Sequence, residues 1–180
     1  MRIRFKNITR DKSSIGQVSE LYHTAFPEDE RAPFRMLLSK AEKPNVSFFS
    51  CYDGEEWIGL LYVVNYRDLS YVFYFAVEES RRGRGFGTAI LKAAQKKYRG
   101  RRLFLAIEEV DEKYENYPQR LSRQHFYERA GFRPSGQKMQ EGKVIYDLMT
   151  TGGRVSPKEY RRLITSYAGL LPLFFTMKIL

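Results

Sequence analysis

Cysteine is nearly absent: Cys51 stands alone among 180 residues, so no intrachain disulfide framework can form. Its apolar flanks read as core filling. Histidine is equally scarce. His23 and His125 lie far apart without cysteine company, which argues against a zinc site, and no metal is expected. No apolar run approaches the ~18 residues of a membrane span; the most apolar stretch runs only from Leu170 to Phe175. The opening MRIRFKNITR has no apolar h-region of a secretory signal, so a cytoplasmic location is expected. With 43% hydrophobic and 29% charged residues, the composition is that of a compact globular chain. A chain of this size buries roughly 70% of its unfolded surface and needs no staples.

One stretch lacks acid altogether. Residues 81–102 hold nine Lys or Arg and no Asp or Glu, within a chain whose formal net charge is +10. The asymmetry is regional: residues 1–80 carry 10 basic against 12 acidic side chains, and residues 81–180 carry 21 against 9. Such a concentration points to a polyanionic partner, either a nucleic acid or a phosphate-rich small molecule.

Hydrophobic periodicity supplies the elements. RIRFKNI (2–8) alternates as a first strand, and Asp11 to Ser14 offer N-cap chemistry to a helix with Ile15, Val18, Leu21, Tyr22 and Ala25 on one face. Pro27 stops that helix, an acidic turn Glu28–Asp29–Glu30 follows, and a short helix spans Phe34 to Ser39. VSFFSCY, WIGLLYVV and LSYVFYFAV are separated by short polar turns, which predicts three antiparallel strands. A helix is predicted from Thr88 to about Tyr98, closed by Gly100, and RLFLAI (102–107) reads as a buried strand parallel to the one before the helix. A further helix (118–130), a final hairpin and a helix from Pro157 to Tyr167 precede the hydrophobic tail LLPLFFTMKIL.

Between strand 69–77 and the helix at 88 lies Arg81-Arg82-Gly83-Arg84-Gly85-Phe86-Gly87. Three alternating glycines leave main-chain N–H groups unobstructed, and the helix behind them presents its positive end. Three arginines add full charges. A pyrophosphate-sized anion at residues 82–88 is the physical expectation. No Gly-Lys-Ser/Thr ends the loop, so it is not a P-loop, and Gly83-x-Gly85-x-Gly87 is not the dinucleotide fingerprint.

Arg82-x-x-Gly85-x-Gly87 after FYFAV closely resembles the acetyl-CoA signature of the GNAT N-acetyltransferase superfamily. Phe126-Tyr127-Glu128-Arg129-Ala130-Gly131-Phe132 is similar to that superfamily's F-Y-x-x-x-G-F segment, about 40 residues on, and element order agrees over residues 1–150. The resemblance implies an α+β, α/β/α sandwich-like GNAT fold: a central mixed, mostly antiparallel sheet with one splayed parallel pair and helices on both faces. It implies a domain at 1–152 and a C-terminal helix plus tail at 153–180, packing on the domain or on a dimer partner.

The resemblance also implies acetyl-CoA as donor and an amine, small or on a peptide, as acceptor, joined by direct attack. Phe75, Ala76 and Val77 would pair with the pantetheine arm, and the Val77 N–H would face the thioester oxygen. The amides from Gly83 through Arg84, Gly85, Phe86 and Gly87 to Thr88, with Arg82 beside them, would take the pyrophosphate. Tyr127 matches the tyrosine that protonates the leaving thiolate. Glu28 and Glu30, in the loop that lines the acceptor site in relatives, and Glu108 and Glu109 are all candidates for the general base. Tyr71 stands where some relatives place a glutamate. Arg120 replaces an asparagine of relatives, and with Arg123 it shares the face of Tyr127, where both arginines would reach CoA phosphates. The acidic stretch 108–117 would attract a cationic amine. A basic nucleic-acid-binding module and a non-catalytic CoA-binding relative are the alternatives.

Overall fold

The computed structural model describes residues 1–169 and 178–180. In chain order the elements are β1 (Ile3–Asn7), α1 (Ile15–Ala25), α2 (Phe34–Ala41), β2 (Val46–Asp53), β3 (Glu56–Tyr66), β4 (Leu69–Val77), α3 (Phe86–Lys97), β5 (Arg102–Glu108), α4 (Tyr117–Arg129), β6 (Arg133–Glu141), β7 (Val144–Thr150), α5 (Pro157–Ala168) and the two-residue β8 (Lys178–Ile179). Single 3-10 turns lie at Lys12–Ser14, Glu28–Glu30 and Glu79–Arg81. The strands form one mixed sheet in the order β1-β2-β3-β4-β5-β7-β6-β8. The chain packs as two compact units: Met1–Val64 with Val72–Ala93, and Asn65–Tyr71 with Ala94–Leu180. Packing of the predicted hydrophobic tail falls largely on residues 170–177, outside the described residues.

In the first unit β1 pairs antiparallel with β2 from Ile3↔Asp53 to Asn7↔Phe49, and β2 with β3 from Val46↔Val64. The apolar runs that predicted β2 and β3 are buried almost end to end, as strands covered on both sides must be. Helix α1 sets Val18, Leu21 and Tyr22 into the core, and α2 sets Leu37 and Ala41 there. Each large side chain so buried is worth roughly 1.5–3 kcal/mol. The N-cap expectation is met one turn early. Asp11 Oδ1 accepts from the Ser13 N–H at 3.2 Å, capping the 3-10 turn, while Ser14 at the start of α1 caps nothing. Helix α1 ends where Phe26, forced extended by Pro27, leaves the helical region.

In the second unit the first residues of β4 run parallel to β5, with Leu69↔Arg102, Ser70↔Leu103 and Tyr71↔Phe104 paired, and the pairing stops there. Tyr71 and Phe104 stack with centroids 4.7 Å apart, and Tyr160 of α5 meets Tyr71 edge-on at 5.9 Å. Strand β5 continues antiparallel to β7 from Phe104↔Thr150 to Glu108↔Tyr146, and β6 and β7 form the expected hairpin. Helix α5 opens with a capping box between Ser156 and Glu159, worth about 1 kcal/mol. Arg102 ties α5 to β5: it bonds Asp68 at 2.7 Å, Glu159 at 2.5 Å and the Arg154 carbonyl at 2.7 Å. The Arg102 guanidinium, with help from Ser156, holds the Glu159 carboxyl down at about 2. Helix α3, whose first turns belong to the first unit, begins at Phe86, two residues before the predicted Thr88. Gly85, at φ 82°, turns the chain so that its carbonyl already accepts from the Ala89 N–H at 3.0 Å.

Candidate functional site

In the first unit, strand β4 delivers the chain to the glycine loop through the turn Glu79–Arg81. Gly83 and Gly85 take φ of 73° and 82°, values that a side chain would make strained. Among the described residues, no acceptor within the protein is bonded to the N–H groups of Gly83 through Thr88; the first amide of α3 with a main-chain partner is Ala89. Gly83, Arg84 and Gly85 are exposed, Gly87 and Thr88 half-buried and Phe86 buried. The arginines differ in their employment. Arg81 is tethered to Glu56 at 2.5 Å, Arg82 donates from Nε to the Val77 carbonyl at 3.1 Å, and Arg84 lies over the Phe86 ring at 5.2 Å. Arg82 thus braces the end of β4 while its side chain stays exposed.

The same strand end is shaped from β3. The register jumps from Cys51↔Gly59 to Tyr52↔Trp57, leaving Ile58 as an extra, bulged residue. Its carbonyl accepts from the Glu78 N–H at 3.0 Å. Beside it Gly59 lets β4 come close: a Cβ there would sit 2.2 Å from the Ala76 carbonyl oxygen and 3.1 Å from Val77 Cα. Gly59 therefore positions the Ala76–Val77 backbone. Sequence reasoning passed over it, although a lone glycine inside an apolar strand run is the ordinary signal of such an approach.

The acidic turn Glu28–Glu30 is exposed at Glu28 and Glu30, and its backbone is bonded to Tyr74 of β4 through the Glu30 carbonyl at 3.1 Å. The structure thus brings Glu30, Phe75–Val77 and the glycine loop onto one continuous framework in this unit.

In the second unit, Tyr127 is half-buried near the end of α4, between Phe126 at 5.0 Å and Phe132 at 6.0 Å. Burial raises its phenol to about 12, with Arg123 pulling the other way. At neutral pH it is a loaded proton donor. Gly131, at φ 99°, ends the helix and lets the Phe132 N–H return to the Tyr127 carbonyl at 3.0 Å.

Arg120 is fully engaged within the protein. It bonds Glu108 and the Glu109 carbonyl, each at 2.9 Å, and Asn116 at 2.7 Å, with its guanidinium 3.9 Å from the Tyr114 ring centroid. Arg123 is exposed and makes one bond, to Glu108 at 2.9 Å, so it is the freer of the two for an anion. Glu109 is buried among Lys113 at 2.6 Å, Lys138 at 2.7 Å and the Tyr114 hydroxyl at 2.7 Å, which hold it down at about 2. A carboxylate so held is a poor proton acceptor. With Glu108, Glu109 and Asp111 all in ion pairs, the 108–117 stretch offers much less free negative charge than its composition suggested. Among the described residues no group of three or more His, Cys, Asp or Glu is placed to hold a metal, and no helix is long and apolar enough to cross a membrane.

A family model for an acetyltransferase (GNAT) domain matches residues 44–134, half of the chain. The chain belongs to the GNAT acetyltransferase family. Compared with curated protein sequences, nothing matches. Among solved structures, a protein from Bacteroides thetaiotaomicron assigned to the GNAT family superimposes with a TM-score of 0.71 over 95% of this chain and 98% of its own, at 21% identity. An aminoglycoside 6'-N-acetyltransferase complexed with coenzyme A gives 0.62 at 17% identity, over 87% of this chain and 100% of its own. The ribosomal-protein-S18-alanine N-acetyltransferase of Escherichia coli gives 0.59 at 15%, over 86% and 96%. At these identities the likeness is one of fold, and the GNAT fold is the α+β mixed sheet with one parallel pair described above.

Proposed function

We propose that this GNAT protein is an N-acetyltransferase that moves the acetyl group of acetyl-CoA to a primary amine by direct attack. The observation that carries the reading is the row of main-chain amides at Gly83–Thr88 that have no partner among the described residues, following a strand and opening a helix. The donor set fits the ligand: amides, a helix N-terminus and the exposed Arg82 and Arg84 suit the diphosphate of acetyl-CoA. The backbone of Phe75, Ala76 and Val77 would align the pantetheine arm, and the Val77 N–H would donate to the thioester oxygen as negative charge grows there.

In the transfer the amine nitrogen bonds the acetyl carbon and the carbon–sulfur bond breaks. Tyr127 gives its proton to the departing thiolate. Glu30, exposed on the acidic turn, takes the surplus amine proton through water. Glu30 is preferred over Glu109 because the latter is held ionised by two lysines and a phenol. Arg123 would add a phosphate contact and Arg120 would anchor α4. Residues 1–152 would make the catalytic domain and 153–180 an extension to it. The amine could be a small molecule or a peptide amine, as the names of the fold neighbours illustrate.

Family membership favours this reading over a nucleic-acid-binding module. Thiol release from acetyl-CoA across an amine panel tests it. Amine-dependent release is expected. Coenzyme A binding with no release for any amine would favour a non-catalytic relative, and a thermal shift with RNA but none with coenzyme A would contradict the transferase reading.

A further inference from the structure

The segment between α1 and α2 is held from beneath by two buried phenols of the first unit. The Tyr74 hydroxyl on β4 donates to the Glu30 carbonyl and accepts from the Ala32 N–H, both at 3.1 Å. The Tyr22 hydroxyl on α1 donates to the Ala32 carbonyl at 2.8 Å. Tyr22 is 0% and Tyr74 6% exposed, and their rings meet edge-on at 5.0 Å. Phe26 packs on both rings, at 5.5 Å from Tyr22 and 5.0 Å from Tyr74. On the outer side Arg31 donates to the His23 carbonyl at 2.9 Å.

Three main-chain groups of one short segment thus end on two core side chains. Phenylalanine at either position would fill the same space without burying a hydroxyl, which must find a partner or cost about 1–3 kcal/mol. What the hydroxyls add is a fixed place for the backbone. Tyr74 sits three residues before Val77 on the same strand, where residues alternate between buried (Tyr74, Ala76) and half-buried (Phe75, Val77).

We propose that Tyr74 is a positioning residue for the acceptor amine: its hydroxyl latches the 27–33 segment, and with it Glu30, to the strand whose end carries Val77. The proposal rests on the reading above, in which Glu30 receives the amine proton. One strand then sets the placement of the Val77 N–H by its own path and that of Glu30 through a side chain. Tyr22 secures the same segment from α1, and Pro27 and Pro33 restrict it at either end.

The test compares wild type with Tyr74→Phe, which keeps the ring and its contacts and removes both hydrogen bonds. Amide hydrogen exchange within 27–33 is expected to rise about tenfold, with coenzyme A affinity changed less than twofold. With spermidine, kanamycin and an alanine-initiated peptide as amine probes, the KM of the amine should rise about five- to twentyfold while that of acetyl-CoA holds. Unchanged exchange at 27–33 overturns the latch. Equal losses on the donor and acceptor sides also overturn it, because they mark Tyr74 as a packing residue of the fold. A wild-type protein that binds coenzyme A but acetylates none of the probes overturns the choice of acceptor classes, and the exchange result still decides the latch. If Tyr74→Phe does not fold, Tyr22→Phe removes only the Ala32 carbonyl bond and should raise exchange about threefold; no rise there overturns the proposal.

Discussion

Gly59→Ala puts the account of the donor strand under direct load. The added Cβ would lie 2.2 Å from the Ala76 carbonyl oxygen, a main-chain atom that no rotamer change can move away. Reaching an ordinary contact of 3.4 Å or more requires a displacement of at least about 1.2 Å, taken by β3, by Ala76–Val77, or by both. Overpacking of this kind costs about 1–3 kcal/mol. For a chain of this length about 2 kcal/mol lowers Tm by roughly 4–8 °C. The kinetic effect should be larger. A 1 Å misplacement of the Val77 N–H relative to the thioester costs on the order of 100-fold in turnover, whereas the Gly83–Thr88 amides are untouched and coenzyme A affinity should change less than fivefold. Differential scanning calorimetry, coenzyme A titration calorimetry and thiol release read the three quantities. Gly16→Ala is the control: its Cβ would meet nothing within 4 Å, and in the first turn of α1 it should leave Tm unchanged or slightly raised. A Gly59→Ala protein with Tm within 1 °C and turnover within twofold of wild type would refute the reasoning.

Tyr127→Phe should lower kcat about 10²- to 10⁴-fold with coenzyme A affinity unchanged, because the proton is needed only as the thiolate leaves; an unchanged kcat removes Tyr127 from that role. Glu109→Gln should destabilise the protein at pH 7 by about 1–2 kcal/mol through lost charge-assisted bonds. Since the Glu109 carboxyl is held at about 2, below its unfolded value, that stabilisation is complete above the unfolded pKa and fades as pH falls toward 2. Urea melts from pH 7 down to pH 2 should therefore show wild type and variant converging, and a constant gap would contradict the assignment.

Much of this was legible from local chemistry. The glycine loop announced itself through three alternating glycines and a run of arginines, because an anion cradle needs bare backbone and positive charge in one place. The short polar turns around residues 53–56 and 67–68 made the three antiparallel strands readable, and the helix expected at Pro157 to Tyr167 is α5. What stayed hidden depends on partners distant in sequence. Arg120 and Arg123 share a face of α4 as the spacing predicts, yet which of them is occupied depends on Glu108, Glu109 and Asn116. The acidic stretch 108–117 looked like a lure for cations, and Lys113, Lys138 and the two arginines neutralise much of it. The roles of Gly59 and Tyr74 come from cross-strand and helix–strand proximity, which no periodicity encodes.

The most direct test of the central claim follows the backbone amide resonances of ¹⁵N-labelled protein as coenzyme A is added. The N–H signals of Gly83, Gly85 and Gly87 should shift downfield together and saturate at the calorimetric affinity, as new hydrogen bonds to phosphate oxygens form. Saturable binding of coenzyme A with those three signals unmoved, or no binding at millimolar ligand, would contradict the account.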